Sequence, residues 1–160
     1  MIYDFDYTNL ALGVFPGLLV LDLLINGHRK RRHKIAFNKV RKRGLAHLKQ
    51  MSWQDFERVC ALHFRAQGYK VKMCGLGGAD GGMDLLLRRR WKTTVVQCKH
   101  WKAKVGVPTV REMFAVMKDQ GFDAVIIVGL SGFTKAARDW IGNKPILLVS
   151  GEELIQPPKA

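Results

Sequence analysis

Asp84 and the triplet Gln97-Cys98-Lys99 are residues whose types and spacing could do chemistry, with Gln97 thirteen positions after Asp84. A carboxylate is a hard oxygen donor suited to Mg²⁺. The amide oxygen of Gln97 can also ligate a hard cation but brings no charge, and the backbone carbonyl of Cys98 can add a third donor. The Lys99 ammonium can orient an attacking water and stabilise negative charge building on a phosphate. An acid, an amide and a lysine converging at a sheet edge can thus hold a divalent cation and a water beside a phosphodiester. Glu57 is a further candidate. It lies four residues after Trp53 and three before Cys60, on or beside an apolar helix stripe. An unpaired charge there is costly, so it needs a partner: a metal, Lys99 or a backbone donor.

The elements that must position these groups are legible in the residue pattern. Thr93-Thr94-Val95-Val96-Gln97-Cys98-Lys99 is rich in β-branched residues and reads as a strand over about 93–100. Strand side chains alternate faces, so Gln97 and Lys99 point one way and Cys98 the other. Met83-Asp84-Leu85-Leu86-Leu87 reads as the preceding strand, over about 83–90, joined to it by a short turn near Trp91-Lys92. Ser52 is a plausible N-cap with Asp55 three residues on. Trp53, Phe56, Val59, Cys60 and Phe64 then recur as one helix face ending before Gly68. Tyr69 to Cys74 alternates as a strand. Gly75 to Gly82 is a glycine-rich turn in which Asp80 reads as a turn residue that caps the loop or as an acid supporting the site from behind the first ligands. Pro108 opens a helix running to about Gln120, and Asp123 to Gly129 is a near-continuous apolar strand, as in a sheet buried on both faces. Thr134 to Ile141 reads as a short helix and Pro145 to Val149 as a last strand. The order αβββαβαβ predicts an α/β fold, with helices packed on a mixed sheet.

Four segments together carry a resemblance over about residues 50–155: Trp53-x-x-Phe56-Glu57, Gly68-Tyr69-x-Val71, Gly78-Ala79-Asp80-Gly81-Gly82-Met83-Asp84-Leu85, and Val96-Gln97-Cys98-Lys99-His100-Trp101. They resemble the Mrr-type restriction endonuclease domain of the PD-(D/E)xK nuclease superfamily. The superfamily usually has Glu where this chain has Gln97, and Mrr-like members often have Gln. The resemblance implies a restriction-endonuclease-like three-layer αβα sandwich and a metal-dependent DNA endonuclease, acting in defence against foreign or modified DNA. It implies catalytic roles for Glu57, Asp84, Gln97 and Lys99, with Mg²⁺, or Mn²⁺ in its place, held by Asp84, the Cys98 carbonyl, Glu57 and Gln97. Arg88, Arg89, Arg90, His100, Lys102 and Lys104 are the expected DNA contacts, because basic and aromatic residues together suit a nucleic-acid rim. Two other readings stand beside this one. The same fold serves Holliday-junction resolvases and repair nucleases, and a non-catalytic, membrane-anchored nucleic-acid-binding protein would share the charge pattern.

The chain has 160 residues and a formal charge of +14. Such a basic balance implies a polyanion partner, either nucleic acid or an anionic membrane surface. The charge is concentrated: residues 28–49 carry ten Lys and Arg and no acid. The three cysteines, Cys60, Cys74 and Cys98, are widely spaced without a C-x-x-C. That argues against structural zinc and a disulfide framework, and for reduced thiols in the cytoplasm. Leu10 to Ile25 is apolar except for Asp22, and Arg29-Lys30-Arg31-Arg32 follow at once. Residues 1–27 are therefore expected as an apolar helical segment that anchors the chain to the cytoplasmic membrane, with the rest on the cytoplasmic side; the alternative is an amphipathic or packing helix, or a dimerisation segment. Residues 28–50 are expected as a basic linker or helix, residues 51–155 as the folded domain, and a second copy of the chain as a further candidate partner.

Overall fold

The computed structural model describes residues 16–74 and 82–156, with side chains from Leu24 onward. The loop holding Gly75, Gly77, Gly78, Asp80 and Gly81, the first part of the apolar run from Leu10, and the last four residues lie outside the described residues. The elements follow the order α1 (Pro16–Gln50), α2 (Trp53–Ala66), β1 (Lys70–Met73), β2 (Leu85–Arg89), β3 (Lys92–Lys99), α3 (Val107–Asp119), β4 (Ala124–Gly129), α4 (Lys135–Ile141), β5 (Ile146–Ser150) and α5 (Gly151–Leu154). The sheet has the simple order β1-β2-β3-β4-β5. Its first three strands are an antiparallel meander, and β3, β4 and β5 run parallel. Parallel neighbours need crossover connections, and α3 and α4 supply them.

Two cores sit on the two faces of the sheet. One gathers Phe56, Val59, Cys60 and Phe64 of α2 with Leu85, Leu87, Val96, Cys98, Ile126, Val128 and Leu154. The other gathers Val110, Met113 and Met117 of α3 and Ala137 of α4 with Val95, Val125, Ile127, Ile146 and Leu148. Residues of β3 and β4 alternate between these two cores, as the two-residue period of a strand requires. The result is a mixed sheet between two helical layers, as expected. Ser52 caps α2, its hydroxyl accepting from the Asp55 N–H at 3.1 Å.

Two local features differ from the sequence reading, and a third decides between its alternatives. Trp53, expected on the apolar stripe of α2, is half exposed at the first residue of the helix. Residues 28–50 form the later part of α1, which is kinked at Gly44, where a φ of 75° interrupts the helical backbone. Phe37 and Leu48 of this helix are buried in the α2-side core. The short helix α5 has no counterpart among the expected elements. Ser150 and Glu153 close a capping box at its start, and Leu154 fills the core. Among the described residues no helix is long and apolar enough to cross a membrane.

Candidate active site

The site forms where β2 stops short of β3. The last β2–β3 pairing at this end is Leu85 with Val96, and the Asp84 N–H still donates to the Val96 carbonyl at 2.9 Å. In an antiparallel ladder the N–H and C=O of one residue face the same neighbour. Cys98, two residues beyond Val96, therefore turns its N–H and C=O to the side that β2 has vacated. The Asp84 side chain occupies that side. Its Oδ2 accepts from the Cys98 N–H at 2.6 Å and from Gln97 Nε2 at 3.0 Å. The Cys98 carbonyl opens toward the same space, while its thiol packs in the core beside Cys60.

Glu57 arrives from α2 and Lys99 from the end of β3. Together with Trp53, Asp84, Gln97, Cys98, His100 and Trp101 they line a cleft of about 470 Å³. All four expected catalytic residues thus meet in one place. Glu57 is only 8% exposed and makes no hydrogen bond or ion pair among the described residues. Burial, reinforced by the nearby Asp84 charge and only partly offset by Arg58, pushes its carboxyl up to about 7. Burial also raises Asp84. The Cys98 N–H, the Lys99 charge and the Gln97 amide pull the other way. Lys99 stands over the Trp101 ring, 4.9 Å from its centroid, a cation–π contact that restricts where the ammonium can go. The adjacent Cys60 and burial keep the Cys98 thiol protonated.

Gly82 lies directly over this site. Its φ is 76°, and a Cβ there would lie 2.7 Å from Gln97 Oε1. Glycine is required twice over: by the left-handed backbone and by the closeness of the amide.

The expected DNA contacts fall into three groups. His100 is partly a structural residue: its Nε2 is 2.8 Å from the Leu48 carbonyl and its ring packs on Phe56. It ties the end of α1 to the catalytic strand. Lys102 and Lys104 lie in the loop after β3. They line an adjoining cleft of about 650 Å³ with Lys49, Lys135, Arg138, Ser131 and Ser150. A smaller hollow lined by Lys49, His100, Lys102, Leu130 and Ser131 connects the two. Lys49, Lys135 and Arg138 are not among the contacts expected from the sequence. They come from two distant segments, α1 and α4, and no local pattern marks them. Arg88, Arg89 and Arg90 are not at the cleft. Arg89 pairs with Lys92, so the turn lies at the other end of β3, about 23 Å from Lys99 at roughly 3.3 Å per residue.

Residues 48–157 match the Mrr_cat model, described as restriction endonuclease. The chain belongs to this family. It is 29% identical over 119 residues to the type IV methyl-directed restriction enzyme EcoKMrr of Escherichia coli strain K12, a match covering 69% of this chain and 39% of that enzyme. The chain thus spans well under half the length of that relative. Among solved structures, the DNA modification-dependent restriction endonuclease AspBHI superposes with a TM-score of 0.53 at 16% identity, over 78% of this chain and 34% of that one. A protein of unknown function, AF1548, superposes with a TM-score of 0.51 at 17% identity, over 59% of this chain and 55% of that one. At these identities the superpositions establish the fold, a restriction-endonuclease-like sandwich.

Proposed function

We propose that this chain is a metal-dependent endonuclease that hydrolyses phosphodiester bonds in DNA, with the cleft of Glu57, Asp84, Gln97 and Lys99 as its active site. The observation that carries the reading is the meeting of Glu57 and Asp84 in one cleft. Glu57 is buried, has no protein partner among the described residues and feels Asp84's charge. Two such carboxyls beside an amide and a backbone carbonyl suit a hard divalent cation, which would offset their repulsion. Among the described residues no cluster of three or more His, Cys, Asp or Glu forms a site. The donor set therefore depends on oxygens that are not all acidic.

Mg²⁺, or Mn²⁺ in its place, would be held by Asp84, the Cys98 carbonyl, Glu57 and Gln97, and would supply Lewis-acid polarisation of the phosphate. The chain's own groups do the rest. Cys98 N–H and Gln97 Nε2 fix the Asp84 carboxylate. Lys99, steadied by Trp101, faces the cleft, where it can orient the attacking water and stabilise charge on the phosphate. The half-exposed Trp53 and Trp101 offer stacking surfaces at the rim.

The methyl-directed and modification-dependent character of two similar proteins supports modified DNA as the substrate and defence as the role. The test is cleavage of methylated and unmethylated plasmid with Mg²⁺ and with chelator. Cleavage only with metal, stronger on methylated DNA, is expected; no cleavage of either plasmid under any metal would contradict the reading. Two further partners belong to the same proposal: the cytoplasmic membrane through residues 1–27, and a second copy of the chain. Detergent-free fractionation and light scattering test them, with a wholly soluble monomer as the contrary result.

A further inference from the structure

The far end of the β2–β3 hairpin is not idle. Arg89 projects from it toward α1, and together with α1 and the end of α2 it borders a groove of about 510 Å³ lined by Lys30, Lys34, Phe37, Asn38, Arg41, His63, Ala66, Gln67 and Arg89. Four of these side chains are cationic and none is acidic. The ion pairs among the described residues are Arg58–Asp55 and Lys135–Asp139, so no carboxylate neutralises the groove. Arg89 is held by stacking on the Tyr69 ring at 5.4 Å, which fixes its position and leaves its charge available. The floor is polar and ordered, with Gln67 Nε2 2.7 Å from His63 Nε2. The surrounding field is already positive: besides burial, Arg65, Arg32 and Arg29 hold the His33 imidazole below its usual range.

We infer that this groove is a second binding site for the DNA phosphate backbone, remote from the catalytic cleft. The inference rests on the proposed function, since it takes DNA as the ligand. Lys30, Lys34 and Arg41 form a row on one helix. From Lys30 to Arg41 the helix rises about 16 Å, at roughly 1.5 Å per residue. One DNA strand presents about five phosphates over that axial length, at roughly 3.4 Å each. The row suits a linear polyanion. A concave groove whose cations lie on two walls receives a backbone ridge better than it receives a flat lipid surface. The groove and the cleft lie at opposite ends of β3, so a duplex must extend well beyond the scissile bond to fill both. The groove would thus add its contacts to those of the cleft on long DNA, whereas a short duplex fills one site at a time.

The test measures equilibrium binding by the full chain, in chelator so that no cutting occurs. Duplexes of ~8 and ~30 base pairs are compared for wild type and the Lys30→Gln/Lys34→Gln/Arg41→Gln variant. Each lost phosphate contact flattens the slope of log K against log salt by about 0.9. For the long duplex the slope should flatten by about 2.7, so that the wild-type advantage shrinks roughly 40-fold between 50 and 200 mM salt. For the short duplex, which fills the groove or the cleft but not both at once, the slope should flatten by less. Arg89→Gln alone should flatten the long-duplex slope by about one contact. Thermal melting of each variant checks folding, and Lys30 and Lys34 are exposed. An unchanged long-duplex slope would overturn the inference, as would equal losses on both lengths. So would loss of binding to phosphatidylserine vesicles with DNA affinity intact, which would assign the groove to a lipid surface. None of these outcomes touches the cleavage assay that tests the proposed function.

Discussion

The two ends of β3 carry opposite kinds of chemistry. At one end Asp84, Gln97 and Glu57 are gathered under the sheet edge, largely withdrawn from water, with hydrogen bonds fixing Asp84. At the other end Arg88, Arg89 and Arg90 stand exposed around a turn. Reaction demands a few groups held closely in a low-dielectric site, where charge is felt strongly. Backbone binding demands many accessible cations whose exact positions matter little. The two ends of the strand differ in what covers them. α2 and Gly82 lie over the Lys99 end, while at the Lys92 end α1 leaves an open groove.

Substitutions that separate the two ends sharpen this contrast. The largest effect is expected for Asp84→Ala, which should abolish cleavage while DNA affinity stays nearly unchanged, because no cationic surface is lost. Comparable loss of affinity in filter binding would mean the two ends are not separable. Next, Lys99→Ala should lower the single-turnover rate by about 10²- to 10³-fold, the range for losing one transition-state charge stabiliser. Its Mg²⁺ affinity should persist in calorimetry. Removing residues 1–48 takes Phe37 and Leu48 out of the core. A chain starting at Lys49 should be less stable than one starting at Gly27 by about 3 kcal/mol or more, as for large core truncations. Equal urea midpoints would show that α1 packs loosely. The smallest effect concerns pH. Glu57 is raised from 4.5 to about 7 in the folded chain, so the folded state holds the extra proton between those values. Metal-free stability should therefore fall as pH rises from about 4.5 through about 7 and level off above. Glu57→Gln should flatten that slope, and a metal-free urea series from pH 5 to 8 would reveal whether it does.

Much of this architecture is legible in the sequence. The strands around Asp84 and Gln97–Lys99 announce themselves by β-branched and leucine runs, and β4 by five consecutive apolar residues. Their alternation places Cys98 in the core and Gln97 and Lys99 opposite. The burial of Glu57 follows from its place on the helix stripe. Which distant segments meet is not legible in the same way. Lys135 and Arg138 join Lys102 and Lys104 only through the crossover helix α4, and Lys49 joins them, as Lys30 and Lys34 join Arg89, only because α1 lies along the domain. Arg88 to Arg90, expected as DNA contacts, lie away from the cleft for a register reason: a hairpin turn lies at the opposite end from the point where its outer strand begins. The helix α5 is detectable in principle, since Ser150-Gly151-Glu152-Glu153 is a capping-box pattern. It is only four residues long, below what periodicity reveals.

The central claim, that Glu57 and Asp84 share a divalent cation, is tested most directly by calorimetric titration of Mg²⁺ into the full chain near pH 7 in buffers of different ionisation enthalpy. Glu57 is about half protonated there, and a cation in the cleft must displace that proton. The predicted result is saturable binding whose heat varies with the buffer, reporting proton release, and whose signal disappears in Asp84→Ala. Mg²⁺ binding by Asp84→Ala with the wild-type affinity and the same proton release would contradict the account.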